Sequence, residues 1–120
     1  MRGTKVALSL AAACLFAAAV YGSRAAAAPQ KGRASAVERG RAVYADKCAR
    51  CHGADGRGET RMGQQVEAPD ISDPGRQRAL GPGGMIASVT NGRGQMPAFK
   101  KRLTRRQIAD SIAYVRTLRR

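Results

Sequence analysis

Cys48-Ala49-Arg50-Cys51-His52 is the stretch on which the reading of this chain turns. Two thiols three residues apart, with a histidine directly after, match the pattern of covalent haem attachment. Geometry explains the spacing. The two thiols reach the two vinyl groups of one porphyrin edge and become thioethers, and the adjoining imidazole is tethered beneath the iron at very high effective concentration. Two other chemistries use paired cysteines. A structural zinc site takes four ligands, and apart from Cys14, in the leader described below, the chain has only Cys48, Cys51 and His52 to offer. A thioredoxin-like pair opens a helix after a strand, where the helix dipole lowers the thiol pKa; here a helical pattern precedes the pair. Haem is the reading that uses all three residues.

Upstream, Ser35 followed by Glu38 fits a capping box, and a helix is expected over 36–47 with Val37, Gly40 and Tyr44 on one stripe. Glycine inside a helix costs up to ~1 kcal/mol relative to alanine, so Gly40 four residues before a buried tyrosine suggests the close approach of another helix. Residues 28–35 are a polar lead-in, and 36–120 form the expected domain. Before them, a basic start through Lys5, an apolar run from Val6 to Tyr21 and the small residues Ala25-Ala26-Ala27-Ala28 are the three parts of a secretory signal. An apolar run of that length spans about 24 Å as a helix, short of the ~30 Å hydrocarbon core, which argues against a membrane anchor. The run also continues past Cys14, unlike a lipidated cysteine. Cleavage is expected after Ala27 or Ala28, so 1–27 is a signal peptide and the destination is the periplasm.

Downstream, 52–61 is glycine-rich loop, and 62–80 reads as irregular, with Pro69 and Pro74 breaking any helix. Gly81-Pro82 opens a short helix through Met85, Ile86 and Val89, closed at Asn91-Gly92. Thr104 and Gln107 repeat the capping box, with Leu103 and Ile108 at the staple positions. Ile108, Ile112, Val115 and Leu118 then form one apolar face, with Tyr114 at its edge. Nothing alternates with period two over a useful length. The fold class is all-α.

The sixth iron position is argued by elimination. His52 is the only histidine, so a second imidazole from the same chain is excluded, and methionine is the usual alternative in electron-transfer haems. Met1 leaves with the signal. Met62 lies ten residues past His52, in a loop that must still wrap a haem edge, and Met85 sits among apolar helix residues, where packing is the plainer role. Met96 stands in Asn91-Gly92-Arg93-Gly94-Gln95-Met96-Pro97-Ala98-Phe99, and Pro97 forces it out of helical geometry. Cys48, Cys51, His52 and Met96 are therefore the candidate site, with His52 and Met96 as the iron ligands.

Taken together, Gly40 with Tyr44, Cys48-Ala49-Arg50-Cys51-His52-Gly53, the run from Gly92 to Phe99, and a final helix bearing Tyr114 resemble the class I cytochrome c family in its short bacterial form, over about residues 36–118. The resemblance implies three to four helices around one covalently bound haem c per chain. It implies that the first and last helices cross at Gly40, with Tyr44 and Tyr114 packed nearby. It also implies that a proline carbonyl accepts a hydrogen bond from the proximal imidazole, and Pro69 is the matching position. The stretch around it is short and lacks the family's usual aromatic residues.

With both axial positions filled, no site remains for substrate. The expected role is a one-electron carrier and not an enzyme; a haem peroxidase or gas sensor would need a vacant sixth position. The alternative is a dedicated haem subunit of a periplasmic dehydrogenase or oxidase complex. Charge adds a direction. Removing 1–27 takes away Arg2, Lys5 and Arg24 and leaves 19 basic against 8 acidic residues, a formal charge of +11. Nucleic acid is the usual partner for such a charge, but an exported chain meets little of it. The field is expected to steer redox proteins with acidic docking surfaces, or an anionic membrane surface, toward a collar of Arg93, Lys100, Lys101 and Arg102. A monomer or a subunit of a redox complex fits equally.

Overall fold

The computed structural model describes residues 34–120. The signal peptide expected at 1–27 lies outside the described residues. The elements are all helical: α1 (Ala36–Lys47), α2 (Ala49–His52), α3 (Arg61–Gln65), α4 (Pro74–Asn91) and α5 (Arg105–Val115), followed by a single 3-10 turn, Arg116–Leu118. Among the described residues the only extended pairing is an isolated bridge between Arg93 and Met96.

Both capping boxes form. Ser35 Oγ accepts from the Glu38 N–H at 3.2 Å, and the Ser35 N–H donates to the Glu38 carboxylate at 2.7 Å. Thr104 and Gln107 do the same for α5, satisfying donors that a helix start otherwise leaves free. Helices α1 and α5 cross at Gly40, and the Tyr44 and Tyr114 rings meet at 5.2 Å between centroids, tilted by 56°. Val37, expected on the buried stripe, is exposed. It lies in the first turn of α1, beyond the Gly40 crossing, where the Arg39–Asp110 ion pair closes the interface.

The segment expected to be irregular over 62–80 holds two helices. Thr60 Oγ1 accepts from the Gly63 N–H and starts α3. Pro74 does not break a helix but begins one: Asp73 caps it by accepting from the Arg76 N–H at 2.6 Å, and proline at the first position loses no helical hydrogen bond. The expected start at Gly81-Pro82 is the second limb of the same element, which kinks at Gly81 (φ 60°, ψ 173°). Gly92, at φ 78°, ends it as expected.

The core joins all three long helices through Tyr44, Met85, Val89, Ile108, Ile112 and Val115, with Phe99 and Leu103 from the connecting loop. Leu118, expected to continue the α5 face, packs half-buried against this core from the 3-10 turn. Among the described residues no helix is long and apolar enough to cross a membrane.

Candidate functional site

Cys48 ends α1 and starts α2; Cys51 and His52 lie on that single turn, and Gly53, at φ 76°, closes it. A one-turn helix has almost no hydrogen bonds of its own, so its carbonyls need outside donors. The Thr60 hydroxyl lies 2.8 Å from the Arg50 carbonyl and 3.0 Å from that of Cys51, sharing one proton between them. The Gly58 N–H donates to the His52 carbonyl at 2.8 Å. The buried Tyr44 hydroxyl donates to the Gly53 carbonyl at 2.6 Å. Gly63 lets this loop fold close, since a Cβ there would stand 2.3 Å from the Cys51 carbonyl oxygen. Tyr44 was legible as a packing residue; its hydroxyl's role, and that of Thr60, were not.

Both cysteines are free and half-buried. Burial pushes the Cys48 thiol up to about 11, with Cys51 and Asp46 acting in the same sense. A thiol held there stays protonated at neutral pH, the reverse of what a thioredoxin-like nucleophile needs. His52 is buried, and burial lowers its imidazole pKa while the Pro69 backbone carbonyl works against that. Its Nδ1 nevertheless lacks a hydrogen bond of regular geometry. Pro69 therefore supplies a near acceptor rather than a formed bond, at the position the resemblance pointed to.

Met96 comes from a separate segment. Arg93 and Met96 exchange two backbone hydrogen bonds of 3.0 Å, and the Phe99 N–H and Lys100 N–H donate back to the Val89 and Thr90 carbonyls of α4. Gly92 is required here, since a Cβ would meet the Met96 carbonyl oxygen at 2.7 Å. The thioether is thus carried on a pinned turn and not on a free loop.

These segments surround one cavity of about 680 Å³, lined by Cys48, Cys51, His52, Pro69 and Met96 together with apolar side chains of α4 and α5. The size suits a cofactor, for which cavities run roughly 300–1,000 Å³. Two sulfurs, a buried imidazole and an apolar wall around one cavity fit a covalently held haem. Met85 lines this cavity too, whereas Met62 lines a separate, open depression beside Arg50, Thr60 and Arg61. Of the expected collar, Arg93 and Arg102 border the cavity and Lys100 and Lys101 do not; Lys47, Arg50 and Arg76 border it instead, with Asp46 and Glu67 as the acidic neighbours.

The family described as "Cytochrome C oxidase, cbb3-type, subunit III" matches residues 35–115. The chain belongs to that family. It is a cytochrome c domain, similar to the cbb3-type cytochrome c oxidase subunit CcoP of Azospirillum brasilense at 36% identity over 86 residues, 71% of this chain and 29% of that one. It is also similar to cytochrome c6 of Nostoc sp., at 38% identity over 76 residues, 63% of this chain and 65% of the relative. The solved structure of the KustC0563 c-type cytochrome matches with a TM-score of 0.63 and 27% identity, covering 68% of this chain and 98% of the other. This cytochrome c domain thus spans under a third of the length of the CcoP relative.

Proposed function

We propose that the chain is a periplasmic one-electron carrier, exported by a signal peptide at 1–27, with one haem c attached through Cys48 and Cys51 and with His52 and Met96 as axial ligands. The observation that carries this reading is the convergence of Cys48, Cys51, His52 and Met96, from two distant stretches of chain, on one largely apolar cavity. Bound there, haem iron supplies a single-electron Fe(III)/Fe(II) couple, and a thioether ligand favours the reduced form. The residues do the rest. The cysteines fix the edge, the α2 turn presents His52, and the pinned turn from Arg93 presents Met96. Apolar walls from α4 and α5 exclude water. If His52 and Met96 both hold the iron, no coordination position would remain for substrate, which supports a carrier over an enzyme.

The arginine and lysine rim at the cavity supports redox partners with acidic docking surfaces, since opposite fields speed and orient encounter. Nucleic acid is not among the partners proposed. An anionic membrane surface is the other body such a field attracts.

The test is the visible spectrum of the haem-loaded full chain. Met96→Ala should abolish the long-wavelength absorption band of methionine-to-iron ligation in the oxidised protein, and Met85→Ala should keep it. The opposite pattern would assign the ligand to Met85, persistence of the band in both variants would assign it to Met62, and absence of the band from the wild type would return the sixth position to an open, catalytic role.

A second reading is favoured by the family itself. Its CcoP relatives are named as oxidase subunits, and the chain could serve as a dedicated haem c subunit of a larger oxidase or dehydrogenase. Stable co-purification with a larger redox protein at physiological salt supports that reading, and a free monomer supports the carrier.

A further inference from the structure

Gln77 is a neutral polar residue that no sequence pattern singles out, yet it is 2% exposed and among the largest fully buried side chains of the domain. It stands in the first limb of α4 and lines the cavity shared by Cys48, Cys51 and His52. Its Nε2 donates both protons: to the Ile71 carbonyl at 2.8 Å and to the Val115 carbonyl, at the end of α5, at 3.0 Å. Its Oε1 faces the Arg119 Nε at 3.4 Å, which sets the amide's orientation, because only the –NH₂ side can serve two carbonyls.

Ile71 belongs to the short turn that carries Pro69. That turn is pinned at several places, one of them Arg120, whose Nε donates to the Ser72 hydroxyl at 3.1 Å and whose Nη2 stands 3.2 Å from the Asp70 carboxylate. The Ile71 N–H donates to the Gly56 carbonyl at 2.8 Å, the Asp70 carboxylate accepts from the Ser72 N–H and hydroxyl at 2.8 and 2.6 Å, and Gln77 takes the Ile71 carbonyl from the cavity side. Gln77 is the pin that ties the turn to α5. Pro69, two residues before Ile71, lines the same cavity as His52, whose buried Nδ1 has no formed hydrogen bond.

We propose that Gln77 is a positioning residue for the proximal histidine: by fixing the Ile71 carbonyl against the end of α5 it sets how closely the Pro69 carbonyl approaches the His52 ring, and so tunes the redox couple. The inference rests on the reading of His52 as the iron ligand. A carbonyl that accepts from the second ring nitrogen makes a ligating imidazole a stronger donor, which favours the oxidised metal. Loosening the Pro69 turn weakens that donation and favours the reduced form.

The experiment is a redox titration of the haem-loaded full chain, wild type against Gln77→Leu, which keeps the volume and removes both donors. The expected result is a several-fold rise in the reduced-to-oxidised ratio at fixed poise, with faster solvent exchange of the His52 ring N–H by NMR. A folded Gln77→Leu with unchanged poise and unchanged exchange overturns the proposal and leaves Gln77 a structural residue only. If Gln77→Leu does not fold, Gln77→Asn, too short to hold both carbonyls, should shift the poise in the same direction by less, and no shift in it overturns the proposal equally. A wild-type chain that takes up no haem, or keeps its iron ligation in His52→Ala, overturns the underlying reading instead, and the inference falls with it.

Discussion

A Cβ placed on Gly40 would lie 1.8 Å from the carbonyl oxygen of Asp110 and 2.4 Å from its carbonyl carbon. The neighbouring atoms are backbone of α5, which cannot swing aside as a side chain could. Gly40 is therefore the point at which α1 and α5 touch main chain to main chain. The crossing also aligns Tyr44, one turn further along α1, with Tyr114 of α5.

Gly40→Ala should accordingly destabilise the domain, although alanine is the better helix former by up to ~1 kcal/mol. Forcing the helices apart places the cost at the upper end of overpacking effects, about 3 kcal/mol. Denaturant unfolding at neutral pH checks it, and a variant as stable as wild type would mean the helices do not cross in contact.

The same crossing carries an ion pair. The Asp110 carboxylate accepts from Arg39 Nε at 2.7 Å and Nη2 at 3.1 Å, and Arg106 stands 3.9 Å away. The Arg39 hydrogen bonds, with the Arg39 and Arg106 charges behind them, hold the Asp110 pKa below the usual carboxylate value against the opposing effect of burial. A folded-state pKa lower than the unfolded one stabilises the protein above the unfolded value and stops doing so as pH falls through the folded value. Asp110→Asn should thus be less stable than wild type at neutral pH, with the difference shrinking below about pH 4. Urea midpoints for both proteins across the acid range test this, and a pH-independent difference would show that packing, not charge, makes the contribution.

How much of this was legible in the sequence follows from where each signal lives. Motifs fixed by covalent or capping geometry were readable, because their meaning lies in spacing along the chain: the Cys48–His52 run, the boxes at Ser35 and Thr104, and Gly92. Gly40 was readable as an anomaly, a poor helix former on a buried stripe. The helix from Pro74 was missed because proline signals both an end and a beginning, and Asp73 one residue earlier was the cue that decides for a beginning. Gln77 and Thr60 carried no signal. Their partners are carbonyls of Ile71, Val115, Arg50 and Cys51, and backbone acceptors look alike in every sequence.

Tyr44 joins the crossing to the site. Its ring packs on Tyr114 while its hydroxyl, 2.6 Å from the Gly53 carbonyl, holds the residue that follows His52. Tyr44→Phe retains the ring and removes only the donor. A buried carbonyl left without its partner costs roughly 1–3 kcal/mol, so the variant should lose about that much stability. Thermal and denaturant unfolding give the figure, and a loss well under 1 kcal/mol would mean that water or another donor replaces the hydroxyl.

The basic rim separates into two groups that the sequence placed together. Arg93 and Arg102 border the cavity, while Lys100 and Lys101, between them in the chain, are exposed but do not. The Phe99 and Lys100 N–H groups are tied back to α4, and the Arg102 and Leu103 N–H groups both donate to the Phe99 carbonyl, so the chain turns and sends the two lysines outward. A charge acts most strongly on an encounter when it lies within a Debye length, about 8–10 Å, of the docking point. For the haem-loaded, reduced chain, oxidation by anionic ferricyanide at low salt should slow by roughly tenfold in the double variant Arg93→Gln/Arg102→Gln. Lys100→Gln/Lys101→Gln removes the same number of charges and should slow it much less. Stopped-flow rates across a salt series distinguish the two, because wild type and the lysine variant should both slow steeply as salt rises and the arginine variant should respond more weakly. Equal losses in the two double variants would show that net charge alone, and not its placement at the cavity, governs the encounter.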